Sequence, residues 1–301
     1  MYKLAILFFL ITLFLFNACE GSLDDEKRAD NEAQIENFIS TNNLEYVKEN
    51  GVYHAIQNKG FGYKVSSGDS LAFYYIGYTL DGVVFDTNIQ EVAEEENLDT
   101  SIRDFKPLVV NENSNNLIEG LQRGLSLCRQ GEYATILFPS NLGFGEQSMG
   151  PIPEWSALAY DIFIIYVKNE QIEEEQNIIS NFVASSAGFS QDSLTGAFKR
   201  YLVEHAEDTL PGINIDDTIY GYYKEETLAG ELLSETDPEG QEIVLNTDEL
   251  TEGIVFGFLM LKPEEKIQLV VSSAMGYGNI GNEDVAPYTP LLYELRLDSI
   301  K

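Results

Sequence analysis

The chain opens with an apolar run, Leu4 to Phe16, broken only by Thr12 and preceded by Lys3. Thirteen residues fall short of the ~20 that a bilayer-crossing helix needs and match the apolar segment of an export signal. Behind it, Glu20 to Glu26 is acidic and polar with nothing to bury, which predicts a solvated tether over residues 19–29. Ile35, Phe38 and Ile39 then recur at helical spacing, as do Ile179, Phe182 and Val183, and each set predicts a short amphipathic helix. Strand patterns follow. Leu71 to Tyr78 is rich in aromatic residues, Tyr133 to Phe138 sets Tyr, Thr and Leu against Ala, Ile and Phe, and Tyr160 to Val167 is nearly all β-branched or aromatic. Leu80-Asp81-Gly82-Val83 marks a turn between two such runs. Apolar positions 117, 118, 121 and 125 predict one helix over Leu117 to Leu127. Strands arranged about a single helix predict an α+β domain.

That domain occurs twice. Gly68 to Tyr75 returns as Asp216 to Tyr223, and Thr79-Leu80 with Gly82 returns as Thr227-Leu228 with Gly230, at an offset of 148 residues. Leu117, Glu119, Gly120 and Gly124 return as Leu250, Glu252, Gly253 and Gly257 at an offset of 133. Gly143 and Gly145 return as Gly276 and Gly278, and Leu158 and Tyr160 as Leu291 and Tyr293, at that same offset. The offset falls because 30 residues separate Asp86 from Leu117 but only 15 separate Ser234 from Leu250. The chain therefore divides into a signal segment (1–18), a tether (19–29) and two domains, 30–170 and 171–301, each beginning with a lead-in helix. The charged junction Lys168 to Glu175 runs on into the second lead-in helix, with its like charges expected in solvent.

Composition removes several classes of function. Eighteen Lys+Arg against 50 Asp+Glu give a formal charge of −32, which repels nucleic acid. Two cysteines build no disulfide framework, and two histidines leave almost nothing for a His-based metal site or a catalytic triad, so no metal and no cofactor is expected. The acidic stretch Glu91 to Asp99 does not have the spacing of an EF-hand loop. It reads as a solvated acidic excursion or, alternatively, as a loop that recognises partners. Cys128 is expected to be a buried, inert thiol, and Arg123 and Arg129 ordinary surface charges.

Leu15 to Cys19 resembles the lipobox of bacterial lipoproteins, with Asn17 where a smaller residue is usual. The resemblance implies cleavage before Cys19 and lipid attachment to its sulfur. Residues 20–26 are similar to the acidic export tags of surface lipoproteins in Bacteroidetes-type bacteria. The implied location is the outer membrane, on its periplasmic face or at the cell surface.

The body of the chain resembles the FKBP-type peptidyl-prolyl cis-trans isomerases. The matching segments are Gly68-Asp69 with Tyr75 and Gly77, Leu80 to Asp86, Leu117 to Leu121, Leu127 to Glu132, Pro139 to Gly145, Ile152-Pro153 and Leu158 to Asp161. The resemblance covers residues 50–168. It implies an α+β fold of two tandem FKBP-like domains, each a twisted antiparallel sheet of five or so strands wrapped around one short helix.

It also implies a pocket in the first domain. Tyr75 and Asp86 would supply a polar wall, and Phe85 and Tyr160 would supply aromatic walls around a proline ring. Phe105 is expected as a further wall. Leu117 and Ile118 lie at the helix entry, where the Ile118 N–H would bond a peptide carbonyl. Leu121 forms the floor, and Phe144 and Ile152 cover the rim. Two residues depart from the family: Leu121 stands for a usual Trp and Phe144 for a usual Tyr. Trp155, in the loop flanking the pocket, is either a contact residue or a cap on the core. In the second copy Tyr223, Tyr277 and Tyr293 match, but Phe85-Asp86 becomes Leu233-Ser234, Ile118 becomes Thr251 and the floor is Ile254. That copy is read as degenerate and non-catalytic.

The implied activity is isomerisation of X-Pro bonds in exported client proteins or other proline-containing peptides. The alternative is a non-catalytic FKBP-like lipoprotein that docks peptides or acts as a scaffold. The isomerase chemistry suits a chain this poor in histidine, because it needs no nucleophile. It needs only an apolar pocket that holds the twisted imide better than either planar isomer.

Overall fold

A computed structural model describes residues 23–111, 117–204, 212–246 and 249–301. The signal segment, Cys19 and the first part of the tether lie outside the described residues.

Helix α1 (Leu23–Thr41) leads into β1 (Val47–Glu49), β2 (Val52–Asn58), β3 (Ser70–Thr79) and β4 (Val84–Thr87). A short helix α2 (Gln90–Glu95) precedes β5 (Leu108–Asn111), α3 (Glu119–Leu125), β6 (Tyr133–Phe138) and β7 (Leu158–Lys168). These strands form a seven-stranded antiparallel sheet in the order β1-β2-β6-β7-β3-β4, with β5 also on β3. β3 is the spine, pairing β7 along its whole length (Ser70↔Lys168 through Thr79↔Leu158).

The second half repeats the plan. Helix α4 (Glu170–Ser185) is followed by β8 (Ser190–Gln191), β9 (Phe198–Val203), β10 (Thr218–Thr227), β11 (Leu232–Glu235) and β12 (Gln241–Val244). Then come α5 (Glu252–Leu259), β13 (Lys266–Val271) and β14 (Leu291–Ile300). Its order is β11-β10-β14-β13-β9-β8, with β12 on β10. Each sheet therefore has two more strands than the five expected, because the hairpins β1-β2 and β8-β9 extend one edge.

The first sheet is covered on both faces. Ile136 and Phe138 of β6 point under α3 into a core with Leu71, Phe73, Leu121, Leu125, Leu158 and Ile162. A Cβ on Gly120 would come within 2.3 Å of Phe138, and one on Gly124 within 2.3 Å of Ile136. The two glycines thus let the helix lie directly on the sheet. Leu137 points the other way, into a smaller cluster with Tyr53, Ala159 and the α1 residues Ile35 and Ile39. The outward face that alternation assigns to Leu137 is closed by the lead-in helix.

The tether expected over 19–29 is helical from Leu23 on. Its composition still explains this. Asp24, Asp25 and Glu26 occupy the first turn, where the helix dipole favours negative charge. The anchored turns carrying Ile35 and Ile39 supply the nucleus that an acidic segment lacks alone. Helix α3 is shorter than its apolar pattern, because Leu117 precedes it and Ile118 takes an extended N-cap conformation (φ −62°, ψ 147°).

α1 and α4 do equivalent work for the two copies. Asn31, buried, accepts from the Ser140 N–H (2.8 Å) and donates to the Trp155 carbonyl (3.0 Å). Glu175 on α4 accepts from the N–H and hydroxyl of Ser273, the counterpart of Ser140. The expectation that the charges of the junction lie in solvent therefore fails at Glu175, which is 1% exposed. Burial pushes its carboxyl above the ordinary range, while the Ser273 donors pull it back. Arg129 likewise is not an ordinary surface charge. Its guanidinium spans Glu252 of the second copy through two bonds (3.1 and 3.0 Å) and donates to the Ala274 carbonyl (2.9 Å). Arg123, half-exposed and paired with Glu119, is a surface charge as expected.

Candidate functional site

β3, β4, β7 and α3 bring most of the candidate residues to one end of the first sheet. The register Gly77↔Tyr160 and Gly77↔Asp86 sets Tyr160 and the β4 pair Phe85-Asp86 on either side of a glycine. With no side chain at Gly77, the two rings meet edge to face, their centroids 5.7 Å apart at 78°. Tyr160 also stacks on Phe138 (5.9 Å, 14°) and lies 6.2 Å from the Tyr75 ring. Tyr160, Leu121 and Ile152 are buried, whereas Tyr75, Phe85, Leu117, Ile118 and Phe144 pack on the same core with part of each side chain exposed. The arrangement is an aromatic and aliphatic basin with a closed floor and an open rim. Ile118 N–H is among the helix-entry donors that have no acceptor within their own helix.

The polar wall is held on three sides. The Tyr75 hydroxyl donates to Asp86 Oδ2 (2.8 Å). Arg103 donates to Asp86 Oδ1 and to the Phe85 carbonyl. Burial, then the Asp86 charge, holds the Tyr75 phenol well above its usual range, so it acts as a neutral donor. The same two causes raise Tyr160.

Three site residues were missed from the sequence: Arg103, Asn88 and Leu108. Arg103 sits 17 residues after Asp86, within the stretch that the second copy lacks, so the internal repeat gave it no counterpart. Asn88 is buried and clips both ends of that stretch. It accepts from Tyr75 N–H (2.8 Å) and donates to the carbonyls of Phe73 (3.0 Å) and Lys106 (2.9 Å). The repeat did carry a signal for Asn88: its counterpart Thr236 bonds Tyr223 N–H in the same way (2.9 Å).

Phe105 does not take the wall assigned to it. β5 pairs Phe73↔Leu108 and Leu71↔Val110, which turns Leu108 and Val110 inward onto the core. Phe105 lies before Pro107 and outside the strand, so Leu108 supplies the apolar wall. Trp155 adopts a left-handed conformation (φ 58°) and ties its loop down through Trp155 N–H to the Gly145 carbonyl (2.7 Å).

Among the described residues one group has metal-ligand chemistry: His54, Cys128 and Glu132, with candidate ligand atoms within 4.8 Å of one another. Composition had suggested no such group. Its members already bond one another, His54 Nε2 to Glu132 Oε1 at 2.7 Å with Cys128 Sγ 3.7 Å away. Cys128 is buried, and burial together with Glu132 holds its thiol protonated.

The second copy builds a different site. Gly77 is replaced by Glu225, buried and paired in register with Tyr293. Its carboxylate accepts from the hydroxyls of Tyr277 and Tyr293, both at 3.1 Å. Tyr293 also shares a bond with Thr251 (2.7 Å). A carboxylate thus lines the cavity of about 480 Å³ that the second copy keeps between Tyr223, Thr251, Ile254 and Tyr277. The sequence comparison noted the loss of Asp86 at Ser234 but not the arrival of Glu225.

Residues 62–165 match the family FKBP-type peptidyl-prolyl cis-trans isomerase. The first domain is a member of that family. The chain is 26% identical over 228 residues to peptidyl-prolyl cis-trans isomerase FKBP9 of Homo sapiens, covering 75% of this chain and 34% of the relative. It is 26% identical over 147 residues to the FKBP-type isomerase FkpA of Aeromonas hydrophila, covering 48% of this chain and 49% of the relative. The chain spans about a third of the length of the FKBP9 proteins it matches. Among solved structures, a peptidyl-prolyl cis-trans isomerase from Pseudomonas syringae is 20% identical, with a TM-score of 0.38, covering 44% of this chain and 93% of that one. The three FKBP domains of wheat FKBP73 are 15% identical, with a TM-score of 0.33, covering 85% of this chain and 99% of that one. The FKBP match runs from before β3 into β7 and hence takes in every residue of the basin described above.

Proposed function

We propose that the first FKBP domain is a peptidyl-prolyl cis-trans isomerase that acts on exported client proteins. The observation that carries this reading is the basin itself. Phe85 and Tyr160 meet across Gly77, over a floor of Leu121, with Asp86 held at its edge by Tyr75 and Arg103.

Rotation about an X-Pro bond meets a barrier of ~18–20 kcal/mol because the planar imide is resonance-stabilised. The twisted imide has lost that resonance, and its carbonyl is less polar. An apolar basin therefore disfavours it less than water does, relative to either planar form. Tyr75 and Asp86 orient the substrate, and the Ile118 N–H is positioned to bond a peptide carbonyl. No covalent step is required. Each ~1.4 kcal/mol of preference for the twisted form gives a tenfold acceleration.

The Leu121 floor keeps the basin apolar with less aromatic area. Phe144 removes a hydroxyl worth about 0.5–1.5 kcal/mol of hydrogen bonding. Both changes lower activity without closing the site. The second domain is non-catalytic in this reading, because Glu225 occupies the position of Gly77.

The client class follows from the N-terminal sequence. The apolar segment before Cys19 and the lipobox-like Leu15 to Cys19 support export and anchoring in the outer membrane. Among the described residues no helix is long and apolar enough to cross a membrane.

The test is a proline isomerisation assay on the chain from Glu20 onward, beside a Phe85→Ala/Asp86→Ala variant shown to be folded. Acceleration of an X-Pro peptide that the variant loses supports the reading. No acceleration by the folded parent chain overturns it. Fatty-acid labelling that disappears in Cys19→Ala tests the anchor.

A further inference from the structure

We infer that the cavity of the second domain receives a lysine side chain of a bound polypeptide, with its ammonium seated on Glu225. The inference goes beyond the isomerase reading and does not depend on it. The cavity, about 480 Å³, is lined by Tyr223, Glu225, Leu250, Thr251, Ile254 and Tyr277, among others. By the internal repeat these are the counterparts of Tyr75, Gly77, Leu117, Ile118, Leu121 and Phe144. The second copy therefore keeps the pocket of the fold and changes what its wall offers. One carboxylate is lost where Ser234 stands for Asp86, and another arrives at Glu225.

Tyr223 and Glu225 are two residues apart on β10 and so face the same side of the sheet. Glu225 is 2% exposed. Each of its oxygens accepts one tyrosine hydroxyl, Oε2 from Tyr277 and Oε1 from Tyr293. The Tyr293 proton is thereby used, so the bond that Tyr293 shares with Thr251 is donated by Thr251. Burial, then the Glu225 charge, holds both phenols neutral. A carboxylate oxygen accepts about two bonds, so each keeps a site for an occupant.

The element missing around this carboxylate is a cation. Among the described residues, the bonds to the Glu225 side chain come from the two tyrosine hydroxyls alone. Arg129 lines the same cavity but is committed to Glu252 and to the carbonyls of Gly62 and Ala274. Lys59 pairs with that same Glu252 (2.8 Å), and the exposed Glu249 at the cavity edge offsets the second of these two cations. Within this group the Glu225 charge is left without a counterion. The fold has already taken Glu225 out of water, so an arriving ammonium is the only charge still to be desolvated. A lysine fits both parts of the cavity. Its methylene stem lies along Tyr223, Leu250 and Ile254, as long basic side chains do on apolar surface. Its three donors meet the two open sites on Glu225 and a hydroxyl such as that of Ser234.

The experiment measures, by fluorescence polarisation at physiological salt, the binding of two labelled peptides to the chain from Glu20 onward. The peptides contain no proline and no other cationic residue, and differ only in carrying lysine or norleucine at the centre. Norleucine keeps the stem and lacks the ammonium. The parent should bind the lysine peptide about tenfold more tightly, the lower end of what hydrogen bonds to a charged group supply. Glu225→Gln, which keeps the shape of the side chain, should lose that preference. Ser234→Lys, which puts an ammonium into the cavity from its own wall, should lose it too. Glu91→Gln removes an exposed acid of the first domain and should retain the preference, which separates the cavity from the general attraction of a chain of −32 net charge. A parent without preference, a preference that survives in folded Glu225→Gln or Ser234→Lys, or an equal loss in Glu91→Gln overturns the inference. If Glu225→Gln does not fold, Ser234→Lys decides alone.

Discussion

Gly77 is the position at which the two copies part chemically, and Gly77→Ala is the sharpest probe of the basin. A Cβ built there lies 2.8 Å from Tyr160 Cε1 and 2.9 and 3.0 Å from Phe85 Cε2 and Cζ. Carbon atoms rest ~3.5–4.0 Å apart, so the rings must retreat by about 0.7–1 Å. Tyr160 is 5% exposed and stacked on Phe138, so it cannot yield readily. Phe85 is only partly buried, so the movement falls on it and distorts the wall facing the proline. Overpacking of this kind costs about 1–3 kcal/mol of stability. The catalytic effect is separate. Loss of about 1.4 kcal/mol of preference for the twisted imide lowers kcat/KM tenfold. Initial rates on an X-Pro peptide, beside thermal melts and near-UV circular dichroism, separate the two effects. Gly77→Ala/Phe85→Leu, which brings in the smaller residue the second copy carries at Leu233, should recover stability but not activity. A folded Gly77→Ala protein with kcat/KM within twofold of the parent would refute the view that ring contact across Gly77 shapes the site.

The lead-in helix and the second copy give two further expectations. Asn31→Ala should destabilise the first domain by about 2–3 kcal/mol in urea unfolding, because it leaves the buried Ser140 N–H and the Trp155 carbonyl without their partner. Asn31→Asp keeps the acceptor for Ser140 and should fall between, and an unchanged midpoint for Asn31→Ala would contradict the role given to α1. Burial raises the Glu225 carboxyl from 4.5, against the opposing bonds from Tyr277 and Tyr293, so the folded state holds this proton more tightly than the unfolded chain. Its contribution to stability is therefore present below 4.5 and lost as pH rises from 4.5 through the raised value. Glu225→Gln should flatten that decline in urea melts taken from pH 4 to 8, while Glu175, shifted in the same direction, keeps part of it. A parent slope retained in full by Glu225→Gln would rule out this assignment.

Periodicity made the repeated elements legible because each strand and helix has one face that must be buried. Ile136 and Phe138 alternate with Thr135 and Leu137 whatever else the chain does. Leu137 shows where alternation stops being informative: its second partner, α1, lies more than 90 residues earlier in the chain. The basin residues that sit on repeated strands, Tyr75, Phe85, Asp86 and Tyr160, were implied by the family resemblance, whose spacing these strands keep. Arg103 and Leu108 were not, because a 15-residue excursion breaks the register between Asn88 and β5. Which residue returns to the pocket then depends on how the loop folds back. The family resemblance put Phe105 there, across the enlarged loop, and Pro107 with the Phe73↔Leu108 pairing decides against it. Glu225, Glu175 and Arg129 were hidden for another reason. In a chain of −32 net charge, one more charged residue carries no signal of burial, and only the tertiary partners Tyr277 and Tyr293, Ser273, and Glu252 distinguish these three from the solvated majority. The same reasoning accounts for the contrast between the copies. Replacing a glycine by a glutamate in a central strand would be ruinous in an apolar basin. Here Tyr277 and Tyr293 accept it with two hydrogen bonds. The second domain therefore keeps the fold's core and a cavity of about 480 Å³ at the equivalent place, but lines it with a carboxylate, and the bonds of Arg129 to Glu252 and Ala274 attach it to the first domain as a fixed neighbour.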